Sequence, residues 1–264
     1  MTQPVYFVSH GGGPWPYMPE AQAMYALLTE SLRAMPSQLP RRPDAILMIS
    51  AHWETQGALA VMTHPQPPML YDYYGFPEHT YKIRYAAPGS PELARRTSQL
   101  LQSIGPVHED AERGFDHGAF VPLYVMYPEA DIPVTQLSIE KHFDPALHVA
   151  IGRALAPLRD ENVLIVCSGL SYHNLREIRS IGALPSAQFD AWLQQVVVQG
   201  PIDERIPQLL DWEQAPAARQ AHPREDHLIP LMVAAGAAEH DPATCVYHDK
   251  GLFAGITASS FRFG

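Results

Sequence analysis

Three of the thirteen histidines in this chain share a setting. His10 closes the apolar run in "FVSHGGGPWP". His52 follows a second such run in "ISAHWET", and His173 lies a few residues beyond a third in "VCSGLSYHN". Imidazole ligates metals and moves protons near neutral pH. Three imidazoles placed alike, from segments far apart in sequence, can converge on one ion or one substrate. Gly11 to Gly13 would let the backbone behind His10 pass close to such a group. Each histidine alone has a plainer reading. A histidine at a strand end is usually a surface or satisfied polar residue, and His52 beside Trp53 could be structural. The coincidence of three carries the functional reading.

Two further clusters join them. "ERGFDHGAFVPL" (112–123) places His117 between Asp116 and Gly118, just before an apolar helix-like run. "AHPREDHLIPLMVAAGAA" (221–238) places His227 at the start of another, with His222, Glu225 and Asp226 nearby. Their plainer readings are a loop histidine paired with Asp116, and a solvated helix cap whose acids favour the helix dipole. His64, His79, His108, His142, His148, His240 and His248 lack a comparable setting and read as surface residues.

These side chains need elements to hold them. Short runs rich in Val and Ile, bounded by turn residues, predict buried strands at 5–9, 45–50, 133–139 and 163–169. Residues 256–264 alternate like a half-exposed strand. Helical periodicity occupies 90–104, with Ser90 as N-cap, Pro91 at the first helical position and Gly105 as a stop. The same logic marks 144–158, capped by Asp144, and 187–198 after Ser186. Continuously apolar strands alternating with amphipathic helices predict an α/β fold: one domain over 1–264, a three-layer αβα sandwich around a central mixed, largely parallel sheet. If the strands are parallel, His10, His52 and His173 leave carboxyl ends on one edge, where open α/β sheets bind ligands.

Composition narrows the classes. The formal charge of -10 and the lack of a basic stripe argue against nucleic-acid binding. No apolar run approaches a bilayer span, and "MTQPVYFVSH" lacks the pattern of a signal peptide. The 26 prolines, about twice the usual share, punctuate many loops rather than one hinge. Cys167 and Cys245 show neither metal-type spacing nor a disulfide framework. Cys167 lies in an apolar run and reads as a buried thiol, so a reducing cytoplasm is expected.

Together, "HGGGPWP", "SAHWET", "YDYYGFPEHTYKIRYAAPGSPELA", "GFDHGAFVPLYVMYPEADIPVTQLSI", "SGLSYHNLR", "HPREDHLIPL" and "SSFRF" span nearly the whole chain in order. In these stretches the sequence resembles the class III extradiol aromatic ring-opening dioxygenases of the DOPA-dioxygenase type. The resemblance implies roles by position. His10, His52 and His227 match the metal ligands. His173 matches the acid–base histidine, which can lie close enough to the metal to count as a further ligand. His117 matches a second active-site histidine that contacts substrate. Two departures fall on the substrate side. Three glycines precede Pro14 and Trp15 where many relatives have Gly-Ser-Pro, and Tyr74-Gly75-Phe76-Pro77 replaces Gly-Gly-Phe-Pro.

The implied chemistry is non-haem Fe(II)-dependent opening of a catechol ring with O2, beside rather than between the two hydroxyls. Two histidines and a carboxylate form the best-known facial set for this metal. Here the implied set is all histidine, with Glu225 and Asp226 adjoining it. Histidine ligands also suit Zn(II), which binds more tightly on the general ordering. A zinc hydrolase using Glu225 or Asp226 as base, and a non-enzymatic binding module, therefore remain alternatives at this stage. Tyr71, Tyr73, Tyr74, Phe76 and Trp15 could wall an aromatic pocket, although loop aromatics are more often packing residues.

Overall fold

A computed structural model describes all 264 residues. In chain order the elements are β1 (Val5–Ser9), α1 (Ala26–Ala34), β2 (Ala45–Thr55), β3 (Leu59–Met62), α2 (Pro91–Leu101), β4 (Val107–Asp110), α3 (His117–Met126) and β5 (Val134–Glu140). They continue as α4 (Pro145–Leu155), β6 (Val163–Gly169), α5 (Ala183–Leu193), α6 (Ile202–Leu210), α7 (Ala218–Ala221), α8 (Ile229–Ala237), β7 (Ala243–Leu252) and β8 (Ile256–Phe263).

The strands form one sheet in the order β4-β3-β5-β2-β6-β1-β8-β7. Its centre is parallel: β5 to β2, β2 to β6 and β6 to β1. These strands are buried along most of their length, which explains their unbroken apolar runs. β8 joins β1 antiparallel, and β7 completes a hairpin with β8. At the other side β3 meets β5 antiparallel through Val61 and Leu137 and runs parallel to β4. The sheet is therefore mixed and largely parallel, as expected. α8, with α4 beside it, packs on β6 and β1, while α3 packs on β2 and β6 with α1 behind it. α3 and α8 are apolar almost all round because protein surrounds them.

Local chemistry sets the helix starts. Ser90, Asp116 and Asp144 each accept a hydrogen bond from a backbone N–H of the first turn of α2, α3 and α4. A cap of this kind stabilises by about 1 kcal/mol. Ser186 does not cap α5. It sits inside the first turn and donates to the carbonyl of Ala183 at 2.8 Å. α5 then widens into a π turn over Gln194–Gln199, closed by Gly200 N–H donating to Gln195 at 2.7 Å. Three consecutive β-branched valines lie in that turn, where regular helix is less favoured.

Two expectations need correction. The second strand runs on to Thr55, so His52 lies within β2 rather than after it. The pairing of β2 with β5 shifts between Ile49 and Glu54. Such an irregularity re-aims side chains near a sheet edge. His148 is not a surface residue: it is fully buried in α4. Its Nδ1–H donates to the Asp144 carbonyl at 2.7 Å, and its Nε2 accepts the Glu140 N–H at 3.1 Å. Both ring nitrogens are satisfied, so the neutral ring packs as a polar core residue.

Candidate active site

His10 and His173 leave β1 and β6 at the same edge of the sheet, as the parallel pairing of Ser9 with Gly169 requires. The His10 N–H donates to Gly169 at 3.2 Å, which holds the two strand ends together beyond the last rung. His52 reaches that edge from the irregular end of β2. His117 opens α3, and His227 precedes α8 by two residues. All five side chains meet. The ring centre of His10 lies 4.9 Å from that of His52, 5.3 Å from His117 and 5.2 Å from His227. His52 lies 4.0 Å from His117, and His173 stacks on His227 at 3.4 Å.

The hydrogen bonds decide which nitrogens face the centre. His227 Nδ1 lies 2.6 Å from Asp226 Oδ2, and a carboxylate oxygen accepts, so Nδ1 carries the proton. The His227 Nε2 then carries a lone pair, which lies within hydrogen-bond distance, 3.3 Å, of Nε2 of His52. His117 Nδ1 is hydrogen-bonded to Asp72 Oδ1 at 2.9 Å, while His52 Nδ1 makes only a charge contact with Asp72 Oδ2, at 3.3 Å. His10 is 1% exposed, and neither ring nitrogen has a hydrogen-bond partner. Buried imidazole nitrogens rarely stay unpaired. Imidazole nitrogens that converge in this way are a donor set that a divalent cation satisfies.

The electrostatics agree. Burial pushes the pKa of His10, His52 and His227 well below the ordinary imidazole value, and repulsion among the histidines adds to it. Burial, then His117 and Arg224, lowers His173 to about 4. These rings are neutral at neutral pH, the form that ligates metal or accepts a proton. The ligand atoms of His10, His52 and His117 lie within 4.8 Å of one another, as do those of His173, Asp226 and His227. The close approach of His52 and His227 joins these two groups.

The surrounding residues brace the cluster. Trp15 donates its indole N–H to the His10 carbonyl at 2.8 Å and stacks on Tyr25. Gly11, at φ +74°, leaves room for that indole: a Cβ there would sit 2.5 Å from its nitrogen. Buried Asp116 caps α3 and also accepts from Ser50, Gln136 and Arg113. Arg113 lies over the Trp53 ring and donates to the His52 carbonyl at 3.3 Å. Of the loop aromatics, Tyr73 stands 5.9 Å from His117 and Phe76 covers Gly13, whereas Tyr74 is 90% exposed and faces away from the core.

Five side chains depart from their simplest sequence readings. His117 pairs with Asp72, not with its neighbour Asp116. The 222–227 segment is no solvated cap, because His222, Asp226 and His227 are buried. His222 lies against Phe189 and donates Nε2–H to the Ser171 carbonyl at 3.0 Å. Glu225 binds Arg219 at 2.6 Å, which leaves Asp226 as the acid beside the histidines. Asp72 was not anticipated at all. It sits in an aromatic-rich loop, and no spacing in the sequence ties it to histidines 20 and 45 residues away.

Comparison with known proteins gives the same direction. Residues 4–264 match the family described as "Catalytic LigB subunit of aromatic ring-opening dioxygenase". The chain is 41% identical to a 4,5-DOPA dioxygenase extradiol of Beta vulgaris, covering 98% of this chain and 95% of that protein. It is 39% identical to a protein of the same name from Escherichia coli (strain K12), over 89% of this chain and 84% of that one. The crystal structure of the uncharacterized protein JW3007 from Escherichia coli K12 superposes with a TM-score of 0.79 at 33% identity, over 99% of this chain and 100% of the other. With its histidine cluster at the sheet edge and this match along its length, the chain belongs to the LigB family of aromatic ring-opening dioxygenases, the extradiol class its motifs resemble.

Proposed function

We propose that the chain is a single catalytic domain that opens the ring of a catechol, DOPA-like or a related phenol, with O2, and that Fe(II) is the working metal. The observation that carries this reading is the convergence of His10, with two unpartnered ring nitrogens, on His52 and His227, whose Nε2 atoms face each other at 3.3 Å. In the proposal these three residues hold the metal. Fe(II) held by His10, His52 and His227 would supply open positions for substrate and O2 and a redox centre between them. Both oxygen atoms enter the product, and the ring opens beside the diol. The DOPA in the relatives' names supports the substrate class.

The protein's own part is to shed one catechol proton and hold the ring. His173 takes that proton. It is neutral at pH 7, its side chain is 19% exposed, and its ring lies against His227. Such a positioned base contributes about 100- to 10,000-fold. His117 turns its Nε2 to the substrate because Asp72 occupies its Nδ1. Tyr73 and Phe76 supply aromatic wall beside it. Both cysteines are free, in keeping with a reducing compartment such as the cytoplasm. No helix is long and apolar enough to cross a membrane.

The test is a set of three alanine variants reconstituted with Fe(II) under nitrogen. His10→Ala and His52→Ala are expected to lose metal. His173→Ala is expected to keep metal while turnover falls by about 100-fold or more. Normal metal content with full activity in His10→Ala would refute the ligand assignment.

A further inference from the structure

Asp72 stands between two of the five histidines, and its geometry assigns it a task. Its segment is held against the start of α3 by reciprocal backbone bonds: Leu70 N–H to Phe115 at 2.8 Å, and Phe115 N–H to Pro68 at 2.8 Å. The backbone of Asp72 faces solvent, but its side chain turns inward and is 18% exposed. Oδ1 accepts from both the backbone N–H and Nδ1 of His117, at 3.0 and 2.9 Å. Oδ2 lies 3.3 Å from Nδ1 of His52. One carboxylate therefore meets both imidazoles on their Nδ1 side.

We propose that Asp72 is a positioning residue that fixes the tautomer of His52 and His117 together, placing the proton of each on Nδ1 and leaving both Nε2 lone pairs for the centre of the cluster. This rests on the reading above, in which His52 ligates the metal and His117 faces substrate. A neutral imidazole has one proton and two places for it. With the proton on Nε2, His52 would point an N–H at Nε2 of His227 and could not ligate. Asp72 works against that state, because its oxygens only accept and a proton on Nε2 would turn the Nδ1 lone pair of His52 toward Oδ2. Partners of this kind raise metal affinity by about 10- to 100-fold.

A simpler role is capping of α3 through the His117 N–H, and Asp72→Asn separates the two. The amide has nearly the same shape but only one accepting oxygen. That oxygen is best placed at Oδ1, where it keeps both bonds from His117. The NH2 group then faces Nδ1 of His52, which must offer a lone pair and carry its proton on Nε2. A capping role alone would leave the His52 tautomer unchanged.

The experiment is long-range proton–nitrogen NMR of the histidine rings in the metal-free, full-length protein, wild type and Asp72→Asn. The proposal expects His52 and His117 protonated on Nδ1 in the wild type, and His52 alone switched to Nε2 in the variant. Zn(II) affinity, measured by competition with a chelator, should then fall by about 10- to 100-fold. Wild-type His52 protonated on Nε2, or one tautomer in both proteins, would overturn it. Should the variant fail to fold, the wild-type spectrum still decides through that first criterion. Wild-type tautomers as expected in a protein that takes up no Zn(II) would instead fault the metal reading and leave the role of Asp72 standing.

Discussion

Gly169 ends β6 at the point where two of the histidine backbones meet. Its carbonyl accepts the His10 N–H at 3.2 Å, and its Cα faces the carbonyl of His227. A Cβ built on Gly169 would lie 2.1 Å from that oxygen, whereas ordinary contact begins at 3.4 Å. In Gly169→Ala the two backbones must separate by about 1.3 Å, and close-packed interiors do not yield that distance freely. The Leu170 N–H, which donates to the same His227 carbonyl at 3.1 Å, must move with them. Overpacking of this kind costs about 1–3 kcal/mol. For a chain of this size each kcal/mol lowers Tm by about 2–4 °C. The site should suffer more than the fold, because a ligand nitrogen must sit about 2.0–2.1 Å from a metal such as zinc and tolerates little displacement. Calorimetry and chelator competition with Zn(II) should therefore show a lower Tm and a metal affinity reduced by at least about 10-fold. Gly105→Ala is the control, since a Cβ there meets nothing within 4 Å. A Gly169→Ala protein with wild-type Tm and wild-type Zn(II) affinity would refute the claim that this close approach sets the position of His227.

Three further outcomes follow from the same structure. Trp15→Phe keeps most of the stacking on Tyr25 but leaves the buried His10 carbonyl without its donor, so stability should fall by about 1–3 kcal/mol, read from urea unfolding; an unchanged midpoint would count against that hydrogen bond. Burial lowers the His222 pKa to about 3, against about 6.5 in an unfolded chain. The unfolded state thus binds more protons between these values. The stability that goes with a neutral His222 is complete above about pH 6.5 and declines by about 1.4 kcal/mol per pH unit below it. His222→Gln should reduce the acid slope of unfolding free energy by that amount, and an identical slope in both proteins would remove His222 as its source. Asp116→Ala should cost about 3–5 kcal/mol, because it leaves the mostly buried Arg113 without its carboxylate; a loss below about 1 kcal/mol in thermal or urea unfolding would contradict that pairing.

Much of the fold was legible because burial on both faces leaves unbroken apolar runs. β1 and β6 fall on the residues expected, and α2 and α4 begin at the expected caps. β3 and β4 escaped notice because they are four residues long and β4 is largely exposed. β7 was missed because its burial is irregular and its pairing with β8 shifts twice. The five histidines could be singled out because each stands beside an apolar run in the sequence. His148 was misread although it shares the inward face of α4 with Ile151 and Leu155, a spacing that marks burial. Asp72 had no such signal. Its significance comes from a loop folding back on the start of α3, which only the three-dimensional structure reveals.

The most direct test of the central claim is oxygen uptake by protein reconstituted anaerobically with Fe(II), against a small catechol panel that includes DOPA. The visible spectrum is followed for a ring-opened product. The account predicts uptake with a coloured product, absent when Zn(II) fills the site and absent in His10→Ala. No uptake with any catechol, in protein with confirmed Fe(II) occupancy, would contradict it.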